Sequence, residues 1–257
     1  AGDALTDSDN NTAVGYNALT SEILGYNSTA IGRGALQNQS FSTATEASNT
    51  AVGQLAGAGN TTGAGNTFLG HIAGYGGTTA TRLTTGVRNT VIGGYASVNA
   101  VSANDGQVLG NAVSGAGGFT TVGQGTADIR AENGVATWAT VSDSRYKKDI
   151  ADSTAGLSFI NALTPRTFKY RTLGELPETF YAYKADSTEV FKNSDTNHGF
   201  IAQEVKTAID AHSELKDGFR LWAERDDGGQ EVAEAALIPI LVKAIQELTA
   251  RIAVLEG

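Results

Sequence analysis

A short motif, Asn-Thr followed by two apolar residues and Gly, recurs along the first half of the chain. It stands at residues 11–15, 28–32, 49–53, 66–70 and 89–93, with Ser replacing Asn in the second copy and degenerate copies ending at Gly110 and Gly123. The glycine-to-glycine steps are 17, 21, 17, 23, 17 and 13 residues. A repeated period of this kind predicts a solenoid, in which one coil cannot bury its apolar face alone and neighbouring coils must cover it.

Each copy of the motif predicts one short strand that ends in a turn. We expect an apolar residue such as Val14 or Ile31 to point inward, and the glycine to permit a turn with positive φ. A small residue is expected where the coils crowd together. The sequence supplies an alanine three residues after the glycine in five coils: Ala18, Ala35, Ala56, Ala73 and Ala96.

These repeats resemble the head repeats of trimeric autotransporter adhesins, over residues 9 to 125. The resemblance implies left-handed β-rolls that associate as trimers. A calcium-binding roll is the alternative, but its Gly-Gly-x-Gly-x-Asp repeats are absent, since Asn and Thr stand where Asp is needed. The histidines His71, His198 and His212 lack metal-ligand spacing, so neither a metal nor another cofactor is expected.

Three tyrosines of the repeats, Tyr16, Tyr26 and Tyr75, are candidates for stacking on sugar rings of a host-surface receptor or glycan. Surface or inter-chain packing is the favoured interpretation of all three. A net charge of -9 gives no basic footprint, so nucleic acid is not an expected partner. No apolar run approaches the roughly 20 residues of a bilayer span, and membrane insertion is not expected.

The composition changes abruptly near residue 142. Residues 1–141 contain no Lys, no Pro and 25 of the 32 Gly, whereas all eight Lys and all three Pro follow. Halves with such different compositions are not expected to share one core. Between them, residues 126–141 alternate loosely at period two and predict a strand pair around Asn133-Gly134, with Trp138 packing at the junction.

The second half begins with Ser-Asp-Ser-Arg-Tyr-Lys-Lys-Asp-Ile, residues 142–150. A Ser and a Lys five residues apart, Ser142 and Lys147, can act as nucleophile and general base if the amine is neutral and within hydrogen-bond reach of the hydroxyl. An ordinary Lys has a pKa of about 10.4, so acting near neutral pH requires about 4 kcal/mol of destabilisation of the ammonium. Nearby cations, Arg145 and Lys148, favour this change, whereas Asp143 and Asp149 oppose it.

This stretch resembles the start of the intramolecular chaperone and auto-processing domain of phage endosialidase tailspikes and tail fibres, whose pattern is Ser-Asp-x-Arg-x-Lys-x-x-Ile. Every fixed position is filled. Three further segments resemble the same family in order: Leu-Thr-Pro-Arg-Thr-Phe-Lys-Tyr at 163–170, His-Gly-Phe-Ile-Ala-Gln-Glu-Val at 198–205 and Leu-Ile-Pro-Ile-Leu-Val-Lys-Ala-Ile-Gln-Glu-Leu at 237–248.

The resemblance implies a domain that trimerises, helps the upstream β-stalk to fold, and then cuts itself off. By position, Ser142 is the nucleophile, Lys147 the general base and Val141–Ser142 the scissile bond, with Asp143 and Arg145 as supporting residues. Gln203 and Glu204 are candidates for orienting Lys147 or donating to the oxyanion, and helix capping and packing are the alternative for both.

The rest of the second half predicts a small α+β domain. Asp152 or Ser153 is expected to cap a helix with Leu157, Ile160 and Leu163 on its apolar face. Residues 173–197 read as a long polar loop around the stalk, with one strand near residues 180–183. Strands are expected near residues 167–171, 199–201 and 219–223, and a helix from Ala202 to about residue 212. A turn at Asp226-Asp227-Gly228-Gly229 is expected to follow the third strand.

The chain is expected to be helical from Gln230 to its end. An a/d stripe is formed by six residues: Ile238, Leu241, Ile245, Leu248, Ile252 and Leu255. The stripe is too short for a coiled coil that is stable alone. Ile at a with Leu at d favours two strands, whereas the resemblance implies three.

The predicted architecture is therefore a mixed one, a trimeric β-roll or β-solenoid stalk followed by a small α+β domain that ends in a coiled-coil helix. The expected domains are a stalk at 1–125, junction strands at 126–141 and a chaperone domain at 142–257, with its coil at about 232–256. The chain is expected to be the C-terminal part of a phage tail fibre in the virion, a homotrimer whose chaperone domain is released in the host cytoplasm.

Two alternatives remain for the function. The first is a non-enzymatic adhesive fibre in which the C-terminal domain stays attached as a permanent trimer clamp. The second is a membrane-tethered transcription factor that shares the processing domain, although the sequence has no basic DNA-binding region and no membrane span. No paired carboxylates in a glycosidase context occur, so sialic acid cleavage is not expected.

Overall fold

The computed structural model describes residues 1–75, 83–215 and 219–256 of the chain. The polypeptide separates into two compact units, Ala1–Lys148 and Asp149–Gly257. Among the described residues, no helix has both the length and the apolar character needed to cross a membrane.

The first unit is a β-solenoid of about six turns, as the repeats predict. Its main sheet contains eight strands in the order β1-β3-β5-β6-β7-β9-β11-β12, and four shorter strands form two small parallel pairs, β2 with β4 and β8 with β10. The strands are β1 (Thr12–Val14), β2 (Gly25–Tyr26), β3 (Thr29–Ile31), β4 (Thr45–Glu46), β5 (Thr50–Val52), β6 (Thr67–Leu69), β7 (Thr90–Ile92), β8 (Ser97–Val98), β9 (Gln107–Asn111), β10 (Ser114–Gly115), β11 (Phe119–Gln124) and β12 (Ala127–Glu132).

The repeats stack in register. Ala13 lies beside Ala30, and Ala51 beside Phe68, so each motif copy pairs in parallel with the copy one coil away. The parallel stacking continues through β11, and only β12 runs antiparallel, as the return strand of a hairpin. The insertions that lengthen some steps therefore lie outside the strands and leave the sheet register unchanged.

The prediction that the side chains of Val14 and Ile31 point inward is wrong. Val14 is 56% exposed and Ile31 is 39% exposed, whereas the central residue of the strand, such as Ala30, is fully buried. Because side chains alternate across a strand, only the central residue of each three-residue strand can face the interior. The narrow interior accepts Ala there in the early coils and Phe68 or Val91 later.

Glycine is required at the end of each motif strand by backbone crowding. Gly53 has a φ of +134°, and a Cβ on it would lie 2.5 Å from the carbonyl oxygen of Gly70 in the next coil. The alanine three residues later is completely buried in every copy, which confirms that prediction. Together these small residues allow successive coils to approach closely.

The first residue of the motif forms a buried ladder of side-chain amides. Asn66 Oδ1 accepts a hydrogen bond from the backbone N–H of Asn89 at 2.9 Å, and Asn66 Nδ2 donates to the Gly86 carbonyl at 2.8 Å. Asn49 and Asn89 make the same two kinds of bond to the coils that follow them. Each amide therefore satisfies peptide groups that the turns leave unpaired in the interior.

Replacing Asn66 with Ala is expected to lower the free energy of unfolding of the stalk by about 2–4 kcal/mol, since the buried peptide groups of Asn89 and Gly86 lose their partners. Urea unfolding checks this value. Thr50→Ala, at an exposed strand position, is the matched control and should change stability by less than about 1 kcal/mol. Equal effects of the two substitutions would contradict a structural role for the ladder.

The second unit is a small α/β region that ends in a long helix, as predicted. It contains two short antiparallel sheets, β13 with β14 and β15 with β16. Its elements are α1 (Leu157–Ala162), β13 (Arg166–Phe168), a 3-10 helix (Leu173–Glu175), β14 (Asn197–Gly199), α2 (Ala202–Asp210), β15 (Trp222–Glu224), β16 (Gln230–Val232), a second 3-10 helix (Glu234–Leu237) and α3 (Ile238–Glu256).

Three local predictions for this unit are wrong. Helix α1 is preceded by Gly156 rather than capped by Asp152 or Ser153, and the Glu247 carboxylate of α3 accepts its first backbone N–H, from Leu157, at 2.9 Å. Residues 180–183 form turns rather than a strand. The chain is not helical from Gln230, because Gln230–Val232 first pairs with β15 across the turn at 226–229.

Helix α3 has two apolar faces. One face packs into the core of the unit through Ile240 and Ala244, and α1 contributes the fully buried Phe159 to that core. The a/d stripe lies on another face, and all six of its side chains are exposed: Ile238, Leu241, Ile245, Leu248, Ile252 and Leu255. The stripe is therefore available for contact with other chains.

Candidate functional site

A single turn of 3-10 helix, Ser144–Tyr146, follows the predicted scissile bond. Asp143 begins the turn, because its side chain accepts the backbone N–H of Arg145 at 2.8 Å. The backbone N–H of Tyr146 then donates to the Asp143 carbonyl, and that of Lys147 donates to the Ser144 carbonyl. This tight turn reverses the chain between Ser142 and Lys147, which is why residues five apart can meet.

The two predicted catalytic side chains are in contact. Lys147 Nζ lies 2.7 Å from Ser142 Oγ, which is within the range that proton transfer requires. Both side chains are exposed in the single chain, as is Val141 before them. The arrangement can deliver a proton from the hydroxyl to an amine, provided that the amine is neutral when attack begins.

Asp143 and Arg145 form a bidentate ion pair beside the dyad. Arg145 Nη2 lies 2.7 Å from Asp143 Oδ2, and Arg145 Nε lies 3.0 Å from Asp143 Oδ1. The side chain of Arg145, and then its backbone N–H, hold the pKa of the Asp143 carboxyl below its ordinary value. The pair is therefore complete above the ordinary pKa of an aspartate and is lost as pH falls through the lowered value.

The segment before the scissile bond is attached to the last strand of the stalk sheet. Ala139 and Arg130 form an isolated antiparallel bridge, which is a short form of the strand pair predicted around Asn133-Gly134. Sequence reasoning missed Arg130 and Ala139 as site residues. The turn signal at Asn133-Gly134 indicated that such a bridge exists, but no pattern indicated which residues form it.

Gln203 and Glu204 lie at the start of α2 in the second unit. The Glu204 carboxylate accepts two hydrogen bonds from Arg166, at 2.8 and 3.0 Å, and the Arg166 side chain holds the pKa of Glu204 below its ordinary value. Gln203 lines a cleft of about 660 Å³ together with His198. The predicted action of Gln203 and Glu204 on Lys147 stays a prediction.

The polar loop predicted at 173–197 folds back on its own unit. Thr172 bridges to Val190, and the backbone N–H of Tyr181 donates to the Asp227 carboxylate at 3.1 Å. The loop closes one side of a cleft of about 400 Å³ whose lining includes the aromatic residues Tyr170 and Phe191. Among the described residues, no group of three His, Asp or Glu side chains is placed to hold a metal ion.

Residues 142–214 match the model of one protein family, which is described as the chaperone of endosialidase. The matched segment begins at Ser142, the residue predicted to be the nucleophile. Comparisons with curated proteins and with solved structures returned no match. The matched family is of a self-cleaving peptidase type, and the similarity covers the dyad, α1, α2 and the two strands between them.

Proposed function

We propose that this chain is the C-terminal part of a phage tail fibre or tailspike whose chaperone domain assembles the stalk and then releases itself. In this proposal the domain drives trimerisation and folding of the β-stalk, and the chain is cut before Ser142. The observation that carries the proposal is the 2.7 Å contact between Lys147 Nζ and Ser142 Oγ at the first residue of the family match. The assembled fibre would belong to the virion, with the released domain left in the host cytoplasm.

The position of the nucleophile defines the chemistry. Ser142 follows the scissile bond, so its Oγ attacks the carbonyl carbon of the peptide bond to its own nitrogen, while neutral Lys147 accepts the hydroxyl proton. The C–N bond then breaks, and Lys147 returns the proton to the departing Ser142 nitrogen. The product is an ester between the Val141 acyl group and Ser142 Oγ, with a free amine on Ser142.

Water completes the reaction. It attacks the ester carbonyl, the bond to Ser142 Oγ breaks, and the stalk ends in a Val141 carboxylate while the released domain begins with the amine of Ser142. The overall reaction consumes one water molecule for each peptide bond that is cut, and no atom is left over. Lys147 takes one proton and gives one back in each half of the reaction, so no further co-reactant is required.

Exposed apolar side chains support the trimer in this proposal. The a/d stripe of α3 is unpaired in the single chain, and the strands of the stalk sheet carry a second row of exposed apolar side chains: Val14, Ile31, Leu69 and Leu109. Rows of exposed apolar side chains of this kind are typical of sites where other chains bind. Packing of three chains would also exclude water from nearby side chains, and proton transfer from Ser142 to Lys147 benefits from that exclusion.

A permanent trimer clamp is the second candidate function. The exposure of Ser142 and Lys147 in the single chain favours it, because water competes with each group for the other. In that function the stripe of α3 has the same role, and the bond before Ser142 stays intact. A host receptor or glycan remains a proposed partner of the stalk under both functions, with exposed Tyr16 as one candidate contact.

The ester is the intermediate that distinguishes self-cleavage from the clamp. When the newly translated chain is treated with hydroxylamine while cleavage is under way, we expect a 1–141 fragment that ends in a hydroxamate. Hydroxylamine attacks esters much faster than amides. Intact mass detects the hydroxamate as one NH group heavier than the carboxylate. A carboxylate formed at an unchanged rate would contradict the ester, and a chain that stays whole would favour the clamp.

A further inference from the structure

We propose that strand β12 positions the scissile bond, so that cleavage requires the last strand of the stalk sheet to be in place. This inference rests on the proposed function. It adds a positioning strand, with Arg130 as its anchor, to the dyad of Ser142 and Lys147. It also makes the stalk itself a condition for release of the domain.

The residues just before the scissile bond are held by the backbone of β12. The backbone N–H of Ala139 donates to the Arg130 carbonyl at 2.7 Å, and that of Arg130 donates to the Ala139 carbonyl at 2.9 Å. One residue further, Thr140 Oγ1 donates to the Asp128 carbonyl at 3.3 Å. A cavity of about 40 Å³ between the two segments has Val141 in its wall, so their contact extends to the residue that carries the scissile carbonyl.

The other edge of strand β12 is paired with β11, which holds the strand extended and fixes its position in the sheet. Thr121 of β11 lies opposite Arg130, and in an antiparallel ladder the N–H and C=O of one residue point to the same edge. The Arg130 peptide groups are directed to Ala139 and therefore away from β11. We therefore expect the ladder between β11 and β12 to hold in place the strand that receives Ala139.

The turn that returns the chain to β12 is also attached to the stalk. Asn133 Nδ2 donates to the Asp105 carbonyl at 2.7 Å, and the backbone N–H of Asn133 donates to the Gly118 carbonyl at 2.9 Å. Gly134, with a φ of +86°, then reverses the direction of the chain. The path from the last coils to the scissile bond is thus fixed by the stalk at the turn and again at Ala139.

Fixing both sides of the reacting bond has a large effect on rate. Small displacements of a reacting carbonyl cost on the order of 100-fold in rate. The dyad fixes the nucleophile through the turn at Ser144–Tyr146, and β12 fixes the segment that carries the carbonyl. A stalk that has not added β12 would leave this segment unattached, and the domain would stay joined to it.

The test removes one hydrogen bond from the full-length chain. Ala139→Pro deletes the N–H that donates to Arg130, and we expect cleavage about 100-fold slower with the trimer and its melting temperature unchanged. Thr137→Pro is the matched control, since Thr137 N–H has no partner in the described part of the chain. It should cut within about threefold of the wild-type rate.

A second pair of variants acts on the other edge of β12. A Cβ at Gly123 would lie 2.3 Å from the Ala127 carbonyl oxygen, so Gly123→Val should separate β11 from β12 and slow cleavage. At the tip of the same hairpin, Gly125 has a φ of +57° and open space around it, and Gly125→Asn should cut at the wild-type rate. Hydrogen exchange on the Ser142→Ala chain provides a readout independent of cleavage, with the Ala139 amide protected.

The outcomes separate the two proposals. Wild-type cleavage with Ala139→Pro equally fast, or an unprotected Ala139 amide, would overturn the role of β12 and leave the proposed function in place. A wild-type chain that stays whole would overturn both. Slow cleavage by Ala139→Pro and Gly123→Val, with both control variants fast, would support the positioning strand.

Discussion

Lys147→Met is expected to remain a single uncut chain under conditions in which the wild type is cut. Met has a similar length and fits the same path, but it offers the Ser142 hydroxyl no amine at the 2.7 Å distance of Lys147 Nζ. Loss of a positioned general base reduces rates by about 10²–10⁴-fold. Intact mass of the denatured protein at successive times after synthesis measures the loss.

Lys148→Met is the matched control for this variant. Lys148 is the adjacent residue, carries the same charge and is exposed, and its side chain makes no hydrogen bond to Ser142. Its removal takes away only a neighbouring charge that favours a neutral Lys147, so cleavage should slow by less than about tenfold, far less than in Lys147→Met. Equal losses in the two variants would mean that local positive charge, and not a particular amine, supports cleavage, and fast cleavage by Lys147→Met would contradict the dyad.

Ile245→Asp is expected to prevent assembly and, as a consequence, cleavage. Ile245 lies in the middle of the α3 stripe and is 62% exposed in the single chain, so the substitution should leave the second unit folded. In a packed trimer it would bury three carboxylates, each costing on the order of 3–5 kcal/mol without a partner. Sedimentation at several concentrations gives the mass of the assembly, and intact mass gives the extent of cleavage.

Gln246→Asp supplies the same charge one residue away, on an exposed position outside the stripe. It should assemble and cut as the wild type does. A trimer of Ile245→Asp would contradict the stripe as the interface, and rapid cleavage by an Ile245→Asp monomer would contradict the coupling between assembly and chemistry. An assembly of two wild-type chains would favour the dimer that the Ile and Leu positions of the stripe predict.

The sequence predicted the solenoid well because its repeat is a backbone requirement. Gly53 and its equivalents stand where a Cβ would meet the next coil, and the buried alanines stand where coils touch. The prediction that the Val14 side chain points inward was wrong. Two adjacent positions of the strand are apolar, Ala13 and Val14, and the larger of the two side chains lies outside. The amide ladder of Asn66 was missed, although the recurrence of Asn at one motif position was a signal for it.

The second unit was predicted less accurately because its element ends depend on contacts distant in sequence. Helix α1 begins where Glu247 of α3 accepts a hydrogen bond, 90 residues away in the chain, and no local capping pattern indicates that. Gln230–Val232 is a strand only because it pairs with β15. The contact between Ser142 and Lys147 was expected from the family resemblance, whereas no sequence pattern indicates the bridge from Ala139 to Arg130.

The most direct test of self-cleavage is the intact mass of freshly purified wild-type protein under denaturing conditions, beside Ser142→Ala. The chain has 257 residues, so a cut before Ser142 leaves fragments of 141 and 257 − 141 = 116 residues. We predict both fragments in the wild type and neither in the variant. A single full-length species in both proteins would contradict self-cleavage, and the second unit would then be a permanent clamp.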